Sequence, residues 1–248
     1  MADYFSTEGL ILRAQDYKET DQLLTIYTIE RGKIKALVKG VKKTTSKLRG
    51  GLGLFGYSRL TFTEGKVFPV IINAEGIEGF APLRSDFTKM SYAGYAAELL
   101  DNLIVAEEKD EELFQLIMKI WPLLTQKDPW LAVKILEVRI LEKMGYQLQQ
   151  HNCLHCGSTL KEQHNYRGCV GGVLCEACSN KVLEEPTTVF SLEVMAGLKA
   201  LQNMDWELLS CLAFSSSGKQ QLDNYLELQL DSILERPLKT KNFIRQML

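Results

Sequence analysis

The sequence predicts an α+β chain of several domains: an N-terminal five-stranded barrel, then an all-helical domain with a four-cysteine ribbon inserted in it. Three observations predict it. Short runs of alternating apolar residues, broken by glycine and charged turns, fill the chain as far as residue 76. From Pro82 the apolar spacing becomes helical, and two C-x-x-C pairs stand between residues 153 and 178.

Five runs read as strands: Gly9 to Ala14, Leu23 to Ile29, Lys33 to Lys39, Tyr57 to Thr63 and Val67 to Asn73. Glu30-Arg31-Gly32-Lys33 and Glu64-Gly65-Lys66 are glycine-bearing links suited to hairpins. Five strands in so short a stretch fit a small closed barrel, of which the OB-fold is the commonest that binds oligonucleotides. A two-layer α+β domain or an SH3-like barrel satisfies the same pattern.

Within this region lies RGKIKALVKGVKKTTSKLRGGLGLF, residues 31–55, in which Arg31, Lys33, Lys35, Lys39, Lys42, Lys43, Lys47 and Arg49 meet no acidic residue. The whole chain carries a formal charge of only −2, yet residues 1–80 hold 12 basic and 9 acidic side chains, a local +3. On a strand over residues 31–39 the alternation sets Arg31, Lys33, Lys35 and Lys39 on one face and turns Ile34, Ala36 and Val38 into the core. Cations on a strand and its adjoining loop track a row of phosphates, so all eight are candidate contacts to a nucleic-acid backbone. A hairpin that is charged only to stay solvated is the plainer alternative. Tyr27, Phe55, Tyr57 and Phe62 are candidate stacking faces, with Phe55 and Phe62 better suited to the core.

Helices follow. Phe87, Met90, Gly94, Ala97, Leu100 and Ile104 mark the first, capped by Ser85 or Asp86. Asp110-Glu111-Glu112 opens the second, which Pro122 kinks or ends. Asp128-Pro129 starts the third, which stops at Gly145, and Trp121 and Trp130 read as core or interface anchors. After Pro186, Ser191 caps Leu192 to Leu201, Asp205 caps Trp206 to Phe214, and Gln221 to Glu235 closes the series before Pro237, with Ser215 to Gly218 as a link.

Cys153-Leu154-His155-Cys156 and Cys175-Glu176-Ala177-Cys178 face each other across an 18-residue gap. Two such knuckles supply four thiolates, the ligand set of a zinc ribbon. Four sulfurs leave no open coordination position, so one structural zinc ion is expected, not a catalytic one. Cys169 reads as a spare buried thiol, Cys211 as core, and His151, His155 and His164 as polar neighbours of the site.

Composition excludes little else. At 248 residues and 46% hydrophobic the chain can bury a large core. No apolar run reaches the length of a membrane span and the first residues lack a signal-peptide pattern, so a cytoplasmic protein is expected. No Walker loop or hydrolase-type constellation stands out, and Asp16, Glu19 and Asp21, the only close acids of the basic domain, read as turn residues instead of a nuclease centre. The chain is therefore expected not to be an enzyme.

Taken in order, Lys39-Gly40, the basic loop, Ser46-Lys47, Gly51-Leu52 with Phe55, the helical run Glu137 to Tyr146, the cysteine pairs and the tail Arg236 to Phe243 resemble the RecO family of bacterial recombination mediators over essentially the whole chain. Leu54 stands where many relatives have proline, and the loop Val41-Lys42-Lys43-Thr44-Thr45 is this chain's own. The resemblance implies an OB-fold over residues 1–80, a helical domain over 81–150 and 183–248, and a zinc insertion over 151–182. It implies binding of single- and double-stranded DNA, strand annealing and, with RecR, help for RecA in replacing the single-stranded DNA-binding protein. Docking of that protein's acidic C-terminal tail on the helical domain would need cations, for which Lys134 and Arg139 are the candidates. The rival reading is a zinc-ribbon recruitment factor of transcription or translation, which would bind nucleic acid without annealing it.

Overall fold

Alternation of apolar and polar residues carries through β1 (Tyr4–Asp16), β2 (Gln22–Thr28), β3 (Gly32–Val38), β4 (Tyr57–Thr63) and β5 (Val70–Glu78). These strands close a barrel in the order β1-β2-β3-β5-β4, with every neighbouring pair antiparallel except β3 with β5. Of the sheet arrangements the sequence left open, this is the OB type. β1 serves two partners, β2 and β4, and its register with β2 shifts between Ile11 and Arg13, a bulge that bends the strand around the barrel. Leu24, Ile26, Ile34, Ala36, Val38, Leu60, Phe62 and Ile71 fill the interior.

The computed structural model describes residues 4–146, 148–160, 166–181, 187–203, 209 and 213–245. The expected helix from Trp206 with its Asp205 cap, and also His164 and Cys211, lie outside the described residues.

By compactness the chain divides into one unit of residues 1–133 with 238–248 and another of 134–237. In the first unit the barrel is joined by α1 (Pro82–Ser85), α2 (Phe87–Leu103), α3 (Glu111–Ile120) and the short C-terminal α8 (Lys239–Arg245). Asp86 caps α2 by accepting from the Lys89 amide, and Asp110 caps α3 by accepting from that of Leu113. Pro122 ends α3 in a 3-10 turn, Trp121–Thr125.

The buried face of α2 differs from the expected stripe. Phe87 and Met90 are exposed, while Ser91, Tyr92, Ala93, Tyr95, Ala96, Ala97, Leu99 and Leu100 are buried. Small residues let neighbouring segments approach on several sides, so the helix has no single apolar stripe.

α4 (Trp130–Lys143) runs on into the second unit, and Gly145 follows it at φ +85°, the left-handed conformation of a helix stop. That unit holds β6 (Tyr166–Cys169), β7 (Gly172–Leu174), α5 (Glu176–Ser179), β8 (Thr188–Phe190), α6 (Leu192–Asn203) and α7 (Ser216–Ile233). Ser215 caps α7 by accepting from the Gly218 amide, so this helix starts five residues before the expected Gln221. The strands form a sheet in the order β7-β6-β8, which the sequence reading lacked.

Candidate nucleic-acid interface and metal centre

Of the eight cations between residues 31 and 49, five have neither an ion pair nor a ring contact among the described residues: Lys35, Lys39, Lys43, Lys47 and Arg49. All five are exposed. Lys35 lies on the outward face of β3, and the others follow in the loop and the 3-10 turn Lys47–Gly51.

The remaining three depart from the expected row. Lys33 does face outward, but that part of β3 is covered. Its ammonium lies 3.5 Å from the Asp101 carboxylate and also donates to the Asp101 carbonyl. The Glu107 amide donates to the Lys33 carbonyl at 2.9 Å, so the chain after α2 lies along this edge. Gly32, at φ +61°, makes the fit possible, since a Cβ there would stand 2.0 Å from the Glu108 carbonyl oxygen. Lys42 is 2.8 Å from the Asp16 carboxylate and holds that group below its ordinary pKa. Arg31 stacks its guanidinium on the Phe5 ring, 3.6 Å from the centroid. Strand periodicity gives the face a residue occupies, not what the rest of the chain lays on it.

Three loops meet at this end of the barrel. The Asp21 carboxylate accepts from the Gly40 amide at 2.8 Å, a bond that lowers its pKa, and the Lys42 amide donates to the Thr20 carbonyl. Tyr17 of the β1–β2 loop and Phe68 of the β4–β5 loop meet edge to face at 6.4 Å. The basic loop is thus tied to the β1–β2 loop, beside exposed Tyr17 and Val67. The β1–β2 and β4–β5 loops are those with which OB barrels grip oligonucleotides. Tyr17 and Phe68 were missed in the sequence because they lie in loops and no strand pattern marks them. Of the four aromatics expected as stacking faces, Tyr27, Phe55 and Phe62 are buried; Tyr57 is half-buried and donates to Glu8.

In the second unit the sulfurs of Cys153, Cys156, Cys175 and Cys178 all lie within 4.8 Å of one another. Cys156 Sγ and Cys175 Sγ are 3.8 Å apart. A tetrahedral zinc ion with Zn–S bonds of about 2.3 Å separates its sulfurs by about 3.8 Å, so the cluster fits such an ion with little adjustment.

Local backbone builds the knuckles. Gly157, at φ +69°, donates to the Cys153 carbonyl, the Cys153 amide donates to the Ser158 carbonyl, and the Cys175 amide donates to Cys153 Sγ at 3.3 Å. The Ser158 hydroxyl and amide hold the Cys156 thiol down to about 6, whereas burial and the neighbouring sulfurs push Cys178 up. Cys169 is buried outside the cluster, in contact with the Gly172 carbonyl at 3.6 Å, as a spare thiol should be. His151 and His155 are exposed and are not among the grouped ligands.

The two cations expected to receive an acidic tail are already engaged. Lys134 is only 6% exposed, with its ammonium 2.7 Å from Glu137 and 2.8 Å from Asp223. An incoming carboxylate would have to displace the buried Glu137 and the half-buried Asp223, so Lys134 is a structural charge. Arg139 is half-buried and donates to Glu142 at 2.6 Å and to the Gln202 carbonyl at 3.0 Å.

A closed barrel of OB strand order, free cations on one loop and a four-thiolate knuckle define an oligonucleotide-binding-type barrel protein with a metal-binding module. Comparison with known proteins narrows the class. Residues 1–80 match the family model for the Recombination protein O N terminal domain and residues 84–242 the model for its C terminal domain, so the chain belongs to the RecO family. It is 30% identical to the DNA repair protein RecO of Moorella thermoacetica, over 100% of this chain and 92% of that protein. To the DNA repair protein RecO of Pelotomaculum thermopropionicum it is 31% identical, over 97% of this chain and 93% of that one. No helix among the described residues is long and apolar enough to cross a membrane.

Proposed function

We propose that this chain is a cytoplasmic recombination mediator that binds DNA through its barrel, anneals complementary strands and, with RecR, helps RecA replace the single-stranded DNA-binding protein. The observation that carries the reading is the row of five exposed cations, Lys35, Lys39, Lys43, Lys47 and Arg49, which enter no ion pair among the described residues and stand beside the loops of an OB barrel. They neutralise phosphates on single- or double-stranded DNA, which lowers the repulsion between two approaching strands and leaves base edges free to pair. No bond is made or broken, and the chain acts without catalytic residues. The four thiolates hold one zinc ion as a brace for the second unit.

The test is annealing of complementary labelled oligonucleotides, bare and precoated with single-stranded DNA-binding protein. Wild type should anneal both, and Lys39→Glu, Lys43→Glu, Lys47→Glu should lose binding and annealing while remaining folded. The slope of log affinity against log salt should fall by about 0.7 for each single-strand phosphate contact removed. Wild-type binding without annealing would favour the rival recruitment factor; an unchanged triple variant would move the DNA surface elsewhere.

A further inference from the structure

Beside Lys35 the first unit opens into a cleft of about 610 Å³ whose walls include Phe5, Glu30, Arg31, Glu64 and Glu107. We infer that this cleft takes one unpaired nucleobase of single-stranded DNA, stacked on the Arg31 guanidinium, while the sugar-phosphate backbone runs outside along the lysine row. The inference rests on the DNA-binding reading above and adds to it a site that separates single strand from duplex.

The first support is a stack of three planar groups. Phe62 is fully buried in the barrel, Phe5 lies parallel to it at 4.7 Å and 6°, and the Arg31 guanidinium covers Phe5 at 3.6 Å. An exposed guanidinium backed by two rings is a plate held in place before any ligand arrives. Arginine planes, like aromatic rings, are surfaces on which unstacked bases settle.

Charge supplies the second support. Glu30, Glu64 and Glu107 are exposed and enter no ion pair among the described residues, and against Arg31 and Lys35 they leave the cleft at 2 − 3 = −1. A phosphate would be repelled there, whereas a neutral base offers N–H donors to carboxylates, which only accept. Glu107 is held to this wall by the hydrogen bond that its backbone N–H donates to the Lys33 carbonyl. Lys35 lines the cleft and also opens the lysine row, so a strand can leave its backbone on one and turn a base into the other. In a duplex the bases are stacked and paired, and none is free to enter.

The test uses three labelled oligonucleotides of equal length at one salt concentration: a mixed-sequence single strand, a fully abasic single strand and a duplex. Wild type should bind the normal strand about five- to 150-fold more tightly than the abasic one, the range expected for one stacked base. Arg31→Lys keeps the charge and removes the plane. It should erase most of that preference and leave abasic and duplex affinities within about twofold of wild type, with an unchanged circular dichroism spectrum. Equal wild-type affinity for normal and abasic strands would overturn the inference while leaving the lysine row intact, as would equal weakening of all three ligands by Arg31→Lys. Loss of all three ligands by wild type would remove the DNA-binding reading itself.

Discussion

Trp121 donates from its indole Nε1 to the carbonyl oxygen of Phe55 at 3.1 Å, and both residues are buried. Phe55 sits at φ +66°, a conformation that a bulky residue adopts only when its surroundings enforce it. Its amide donates to the Ile11 carbonyl at 2.9 Å, so the turn before β4 is fixed from the barrel on one side and from the 3-10 turn after α3 on the other. Leu54, where proline was expected from the family pattern, therefore sits in a turn that is secured by neighbours: the Arg84 guanidinium also donates to its carbonyl.

Trp121→Phe keeps most of the ring and leaves the Phe55 carbonyl buried without that donor. A loss of about 1 to 3 kcal/mol is expected. Urea unfolding of the variant against wild type measures it, and an unchanged midpoint would mean that the carbonyl had found another partner.

Lys134 and Glu137 form a buried ion pair, which the half-buried Asp223 joins. Burial by itself would lower the Lys134 pKa, but the two carboxylates outweigh it and raise the value. The ammonium therefore stays charged throughout the neutral range, and its contribution is lost only as pH rises through the raised folded value, above the ordinary lysine range. Lys134→Met should cost about 3 to 5 kcal/mol by taking the ammonium away from the buried Glu137 carboxylate, and Lys134→Met with Glu137→Leu should recover much of it. Chemical denaturation of both variants decides whether the cluster is a brace.

Glu98 clasps the start of α8: its carboxylate accepts from the amides of Lys239 and Thr240, at 3.0 and 2.9 Å, and from the Thr240 hydroxyl. Burial opposes the charge, yet these bonds prevail and hold its pKa below the ordinary value. A depressed carboxylate stabilises fully above its unfolded pKa, about 4.3, and that stabilisation disappears as pH falls through the folded value. Hydrogen exchange at residues 239–245 should be level from pH 8 to 5, after correction for intrinsic rates, and rise sharply below about 4. Glu98→Gln should flatten that rise.

Removal of metal should act on the second unit. One zinc ion per chain is expected by colorimetric release. Cys153→Ala, Cys156→Ala should abolish binding and lower the melting temperature, whereas Cys169→Ser should keep the metal. A double variant that melted like wild type would show that the thiolates carry no structural load.

The β4 boundaries, Tyr57 to Thr63, and the four cysteines that cluster could be read directly, because strand alternation and the C-x-x-C knuckle are local patterns. The β6–β7 hairpin has a local sign in its turn glycine, Gly171 at φ +82°, but the strands that flank it, Tyr166–Cys169 and Gly172–Leu174, are too short for alternation to mark. What stayed hidden depends on partners distant in sequence. Nothing near Lys33 announces Asp101, and nothing near Lys134 announces Asp223. The buried face of α2 was obscured for another reason, since Ser91, Ala93, Ala96 and Ala97 are buried without being large or strongly apolar.

β8 pairs with β6, Tyr166 opposite Phe190, although it starts ten residues after Cys178, the last of the four clustered cysteines. The Gln229 side chain of α7 meets the same sheet, accepting from the Gly171 amide and donating to the Cys169 carbonyl. The thiolate segment is therefore woven into its host and cannot be exchanged as a cassette. Excising the hairpin would take from β8 its pairing partner and from Gln229 both of these hydrogen bonds, so loss of the four cysteines and loss of the hairpin are separate events with separate structural costs.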